Sequence, residues 1–175
     1  MKMNKVFAAG LTCSAVFGCA LVISGCGGGS RSPAGLADTA LNTSATYQEQ
    51  EKAIVDLGSM PPNEPGVREN LRKVLDKSDN PAIRALAIQA LGNSLDFDSG
   101  PLIIKALSSD DKTERARAYR AISKIIGTDL PGYDANSADP ADRKAGIDSI
   151  TNTYEFFKSK PEYVEKLRAR QGPGK

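Results

Sequence analysis

The chain contains no histidine and no tryptophan, and its three cysteines, Cys13, Cys19 and Cys26, all lie near the N-terminus. With no imidazole, serine triads and Cys–His nucleophiles are excluded, and so are zinc sites built from Cys and His. A domain lying beyond Cys26 has no thiol with which to form a disulfide. Aromatic residues are scarce at 6%, so a core has to be mainly aliphatic. Long-range charge of one sign is also missing. Of 23 basic and 21 acidic residues, the surplus is Lys2 and Lys5, and the chain from Cys26 onward balances to zero. A balanced domain is poorly suited to nucleic acid, whose binders carry a basic patch or a high domain pI. No cofactor-binding motif stands out: Gly27-Gly28-Gly29 lacks the strand–loop–helix setting that a phosphate-binding loop needs.

What is present begins with an address. Lys2 and Lys5 precede an uncharged run from Val6 to Ile23, which ends in Ile23-Ser24-Gly25-Cys26. A positive start, an apolar stretch and small residues before a cut describe an export signal. The aliphatic-small-small-Cys ending resembles the lipobox of bacterial lipoproteins. That resemblance implies transfer of a diacylglyceryl group to the Cys26 sulfur, cleavage before Cys26, and a membrane-tethered domain outside the cytoplasmic membrane, on the periplasmic side. Several acyl chains anchor stably because each buried CH₂ contributes about 0.8 kcal/mol. The organisation expected is a signal peptide over 1–25 and a flexible Gly/Ser/Ala tether over 26–45. Repeats follow over 46–127, and a loop with capping helices over 128–175.

The body repeats itself. Arg84-x-x-Ala87-x-x-Ala90-Leu91-Gly92 recurs as Arg115-x-x-Ala118-x-x-Ala121-Ile122-Ser123. Ala53-x-x-Asp56-Leu57-Gly58 and Arg143-x-x-Gly146-x-x-Ser149-Ile150 are fainter copies on either side. Each unit reads as a pair of helices. Val67, Leu71, Val74 and Leu75 fall at helical spacing, Asp79-Asn80-Pro81 supplies a cap with proline in the first turn, and Ile83, Ala87, Ala90 and Leu91 form the partner's apolar face. Gly92 suits a helix stop. No segment alternates with a period of two, so the fold class expected is all-α.

On Asp79, Ile83, Arg84, Ala87, Ala90, Leu91 and Gly92, and on Asp111, Arg115, Ala118, Ala121 and Ile122, the chain resembles HEAT-like repeats, as in bacterial HEAT-repeat lipoproteins. The resemblance implies a short α-solenoid of antiparallel helix pairs. It also implies a structural ladder between units made by Asp79, Arg84, Asp111 and Arg115. Two positions depart from the pattern. Ser123 replaces the glycine, and Glu114 stands where an aliphatic residue would precede Arg115. After Gly127, a turn-rich loop leads to Ser137-Ala138-Asp139-Pro140, a strong helix start, and to a stripe of Ile147, Ile150, Tyr154 and Phe157. This helix is expected to cap the stack, as solenoid ends require.

Three clusters invite chemistry. Asp129, Tyr133 and Asp134 have the types to bind a cation or sugar, but turn residues of these kinds commonly serve local hydrogen bonds. Asp96-Phe97-Asp98 lacks the spaced ligands and glycine of a calcium loop. Arg117, Arg120 and Lys124 share one side of a helix, the signature of a solvated face or of contact with an acidic partner or anionic lipid. The function expected is a lipid-anchored, noncatalytic protein-binding or scaffold module of the cell envelope. It needs no cofactor or metal, and its protein partner is unidentified. The alternatives are an enzyme of the HEAT-like class related to bilin lyases, and an envelope structural protein without a specific ligand.

Overall fold

The structure, a computed structural model, describes residues 32–170. Eight α-helices and one 3₁₀ turn account for its regular structure, and no strand occurs among the described residues. The first pair is α1 (Pro33–Leu41) and α2 (Tyr47–Ser59), and the second is α3 (Val67–Lys77) and α4 (Pro81–Asn93). In the third, the 3₁₀ turn Phe97–Ser99 leads into the short α5 (Gly100–Ala106), which returns as α6 (Lys112–Ile126). The chain closes with α7 (Pro140–Lys158) and α8 (Pro161–Arg170). Successive pairs stack, with α2 on α4 and α4 on α6. This is the all-α, paired-helix architecture of a HEAT-like α-solenoid.

The second helices start by one chemical recipe. Thr46, Asn80, Asp111 and Asp139 are the N-caps of α2, α4, α6 and α7, and each side chain accepts a backbone N–H of the first turn. Those amides have no partner inside the helix, so a cap of this kind contributes about 1 kcal/mol. The aliphatic core runs through the pairs: Leu71, Ile83, Leu91, Ile103 and Ile122 are completely buried. Each such side chain contributes roughly 1.5–3 kcal/mol on leaving water.

Three differences from what the sequence suggests have local causes. The segment Pro33–Leu41, expected to lie in a flexible tether, is a helix packed on α2 and α3, with Ala37 and Ala40 buried. Ser32 caps it by accepting from the Gly35 amide, and Pro33 fills the first turn. Asn63-Glu64-Pro65 has the composition of a helix start, a polar cap with proline nearby, yet it does not open α3, whose N-cap is Gly66 in the left-handed region at φ 85°. Gly92 does not stop α4. The helix runs to Asn93, and Gly92 instead lets two backbones approach: a Cβ there would lie 2.7 Å from the Ala121 Cβ. Gly58 makes the same approach to Ala90, where a Cβ would lie at 2.8 Å. One small-residue contact thus recurs between α2 and α4 and between α4 and α6. Between the second and third pairs the second helices, α4 and α6, make most of the contact, and the first helices, α3 and α5, make little.

Past α6 the pattern changes. Gly127 ends α6 in the left-handed region at φ 80°. Where another first helix would fall, the loop from Thr128 to Ala138 packs irregularly, with Leu130 and Tyr133 buried. Helix α7 then covers the end of the third pair. Tyr154 stacks on Phe97 with centroids 4.8 Å apart, donates to the Phe97 carbonyl at 3.1 Å, and leaves space at Gly100 for no Cβ. Burial pushes the Tyr154 phenol up to about 12. From α8, Tyr163 donates to the Ile126 carbonyl and Arg168 pairs with Asp98 at 3.2 Å.

Candidate functional site

Cys26, the lipidation candidate, lies outside the described residues. The residues expected to form the ladder are all described, and their geometry redraws it. Arg84 reaches across to the next unit and donates from Nε and Nη2 to both Glu114 oxygens, each at 2.7 Å. The Ser109 hydroxyl adds a third hydrogen bond to Glu114, at 2.6 Å. Glu114, the position that departs from the aliphatic pattern, is therefore the inter-unit acceptor. The Glu114 hydrogen bond is also the leading cause that holds the Arg84 guanidinium above its ordinary value. Asp79 is exposed, and Asp111 caps its own helix by accepting from the Glu114 amide at 2.7 Å. Neither aspartate bridges units through a hydrogen bond with an arginine. Asp111 is held at its own helix start, where a cap position directs its carboxylate to a first-turn amide, and Asp79 lies exposed just before the Asn80 cap.

Arg84, Arg115 and Arg143 share a second task. Each stands four residues after its cap and donates from Nη1 to the carbonyl of the serine two residues before the cap: Ser78 at 3.0 Å, Ser109 at 2.8 Å and Ser137 at 2.8 Å. Those serine hydroxyls in turn accept from the backbone N–H of the cap residue. Arg115 also binds the Ala135 carbonyl at 3.0 Å, tying the irregular loop to α6. The repeating Ser-x-Asn/Asp-x-x-x-Arg is thus a lock on the inter-helix turn. Its serine was not singled out in the sequence, although the spacing is identical in all three copies. In α2 the arginine is replaced by Gln50, which donates to the Asn42 carbonyl at 2.8 Å.

The acidic clusters are structural as placed. Tyr133 stacks against Tyr119 at 5.6 Å and donates to the Leu107 carbonyl at 2.6 Å, and burial raises its phenol. Asp134 accepts from the Asn136 amide within its own turn, while Asp129 is exposed. Asp96 is 2% exposed, beneath α3, and its Oδ2 lies 3.4 Å from Arg72 Nε without a hydrogen bond. Asp98 pairs with α8 rather than joining it around an ion. Among the described residues, no group of His, Cys, Asp and Glu is arranged to hold a metal ion.

Two surface features remain. One is a groove of about 570 Å³ along the inter-helix turns of the second and third pairs, with Asp76, Asp79, Asp110, Lys105 and Arg84 on its walls. The other lies on the solvent-facing side of the second helices. Because α2, α4 and α6 stack in register, equivalent positions form rows: Val55, Gln89 and Arg120, then Ser59, Asn93 and Lys124. Val55 is 49% exposed, and Gln89, Arg120, Ser59, Asn93 and Lys124 are exposed as well. None of them is required by the core. This face is broad, made of rigid helices, and changes from apolar and neutral at α2 to basic at α6.

Comparison with curated proteins and with solved structures gave no match. The family profile for HEAT repeats matches residues 39–123 and again residues 68–141. The two matches overlap with a shift of about one helix pair, as a repeating unit requires, and together they span more than half of the chain. HEAT repeats are in general noncatalytic modules for protein–protein interaction, with stacked pairs presenting an extended surface. By its profile match and by the helix pairs that carry it, this chain belongs to the HEAT-repeat family.

Proposed function

We propose that the chain is a lipid-anchored, noncatalytic scaffold of the cell envelope that presents the face of α2, α4 and α6 to a protein partner on the periplasmic side. The observation that carries the binding role is the continuous row of exposed residues on that face, from Val55 through Gln89 to Arg120. The sequence supports the address. Lys2 and Lys5, the uncharged run to Ile23, and Ser24-Gly25-Cys26 have the order of a lipoprotein signal, with Cys26 as the acylated residue. Attachment through lipid leaves the helix stack free to turn its interaction face toward a partner. Among the described residues, no helix is long and apolar enough to cross a membrane.

Cys26→Ser tests the anchor in cells fed a clickable fatty acid. The expected outcome is loss of label and retention of the uncleaved precursor; undiminished labelling would refute lipidation. In-cell crosslinking of the full chain tests the scaffold role, with one reproducible envelope protein expected.

A further inference from the structure

The basic end of the interaction face is a built groove. Between α4 and α6, Gly92 and Ala121 form a floor where the two backbones nearly touch, enclosing about 260 Å³. Gln89 and Asn93 stand on one wall, and Arg117, Arg120 and Lys124 on the other. Several basic side chains elsewhere in the fold are paired singly with carboxylates: Arg84 with Glu114, Lys73 with Asp38, Lys52 with Asp56 and Lys144 with Asp148. The three groove cations have no carboxylate within ion-pair distance among the described residues. Lys124 donates instead to the Asn93 Oδ1 at 3.0 Å, which turns the Asn93 amide so that its NH₂ remains a donor. Arg120 spends Nε on the Ala116 carbonyl at 3.2 Å and keeps both terminal nitrogens. The groove therefore offers almost only donors, two of them guanidinium groups, whose planar fork matches a carboxylate.

Resting on the scaffold reading, we propose that this groove binds an acidic segment of the protein partner, with Arg117 and Arg120 taking its carboxylates and Gln89 and Asn93 donating to its backbone or side-chain oxygens. Charge complementarity selects the occupant. A chain balanced overall leaves three uncompensated cations at one place, and a carboxylate-bearing segment supplies what they lack. Shape favours a peptide over a membrane surface, because a narrow trough between two helices admits a side chain, whereas a bilayer is flat on this scale. Val55, exposed on the same face two helices away, gives the segment an apolar contact beyond the charged end.

The test uses the full chain in nonionic detergent and a fluorescent peptide of alternating Glu and Ala, followed by anisotropy at low salt. Saturable binding is expected, and the Arg117→Gln/Arg120→Gln double variant should weaken it at least tenfold. Lys52→Gln/Lys144→Gln removes the same net charge from paired sites and should change affinity less than twofold. Equal weakening in both variants, or no binding by the unaltered chain, would overturn the proposal. So would displacement of the peptide by glycerol phosphate at equal concentration, which would assign the groove to an anionic headgroup. Unchanged circular dichroism keeps folding separate from binding. A photocrosslinking residue in place of Gln89 should trap the partner through a Glu- or Asp-rich segment. A partner trapped only through other faces would remove the groove assignment and leave the scaffold reading intact; no partner from any face would remove the scaffold reading itself.

Discussion

Glu114 shows how one side chain decides the join between repeats. It is 2% exposed, yet both oxygens are occupied by Arg84 and one also by Ser109. A buried carboxylate survives only when its lost hydration is replaced this completely. Arg84→Met, which strands that charge, is expected to cost roughly 3–5 kcal/mol in urea unfolding, because removing one partner leaves the other buried and unpaired. Arg84→Met together with Glu114→Leu should recover most of the loss, since the pair can be replaced by apolar groups of similar volume. A double variant no more stable than the single one would contradict this account.

Asp96 is the opposite case. Burial raises its carboxyl above the ordinary range, ahead of the opposing pull of Arg72. The native state therefore holds this proton to higher pH than the unfolded chain does, and the Asp96 contribution falls as pH rises from the unfolded value through the raised native one. Asp96→Asn is expected to raise the urea midpoint at pH 7 and to flatten the fall in stability as pH rises above the ordinary carboxylate range. An unaltered slope would show that Asp96 is not the group responsible.

At the scale of helices, spacing is set by single small residues. Gly92→Ala should raise the intrinsic helix propensity of α4 by about 1 kcal/mol. The new Cβ would nevertheless lie 2.7 Å from the Ala121 Cβ and 2.9 Å from its Cα, so α4 and α6 would have to separate. A net loss of about 1–3 kcal/mol is expected, as for other overpacked cores. At Gly132, φ is 89° but nothing lies within 4 Å of an added Cβ, so Gly132→Ala costs only backbone strain. Thermal unfolding of the two variants separates the mechanisms. Only Gly92→Ala should also disturb the groove between α4 and α6.

For the whole molecule, the capping helices are the critical part. Phe97 and Gly100 lie under Tyr154, and the carbonyl end of α6 lies under Tyr163. A chain ending at Ser137 would expose that apolar surface, and repeat arrays without a cap associate. Increased binding of an anionic naphthalene dye and sedimentation as oligomers are expected for the truncated chain. A truncated chain that stays monomeric and binds no dye would show that α7 and α8 are dispensable for solubility.

Most of the fold was legible in the residues because helix starts are local. Asn80-Pro81, Asp111 and Asp139-Pro140 each hold a cap whose hydrogen bonds close within a few residues, and the aliphatic stripes follow the helical period. By the same logic Ser32-Pro33 also marked a helix start, obscured by the Gly- and Ser-rich composition around it. The turn lock was present in the sequence too, as a fixed spacing of Ser, cap and Arg in three copies. The proposed address, by contrast, rests wholly on the residues up to Cys26, and the helix stack adds nothing to it.

What the sequence could not supply was every relation between distant residues. Glu114 read as a break in the repeat and is its inter-unit acceptor, because Arg84 comes within 2.7 Å only after α4 and α6 stack. Gly92 read as a helix stop and is a contact surface, because closeness of backbones is a property of two helices together. Arg117, Arg120 and Lys124 read as one stripe on one helix, but the trough they line with Gln89 and Asn93 exists only between neighbours. Capping and periodicity act over a turn or two of chain, so the residues alone determined the elements and their order. Ion pairing, close approach and grooves depend on separation in space, and those the tertiary structure decided.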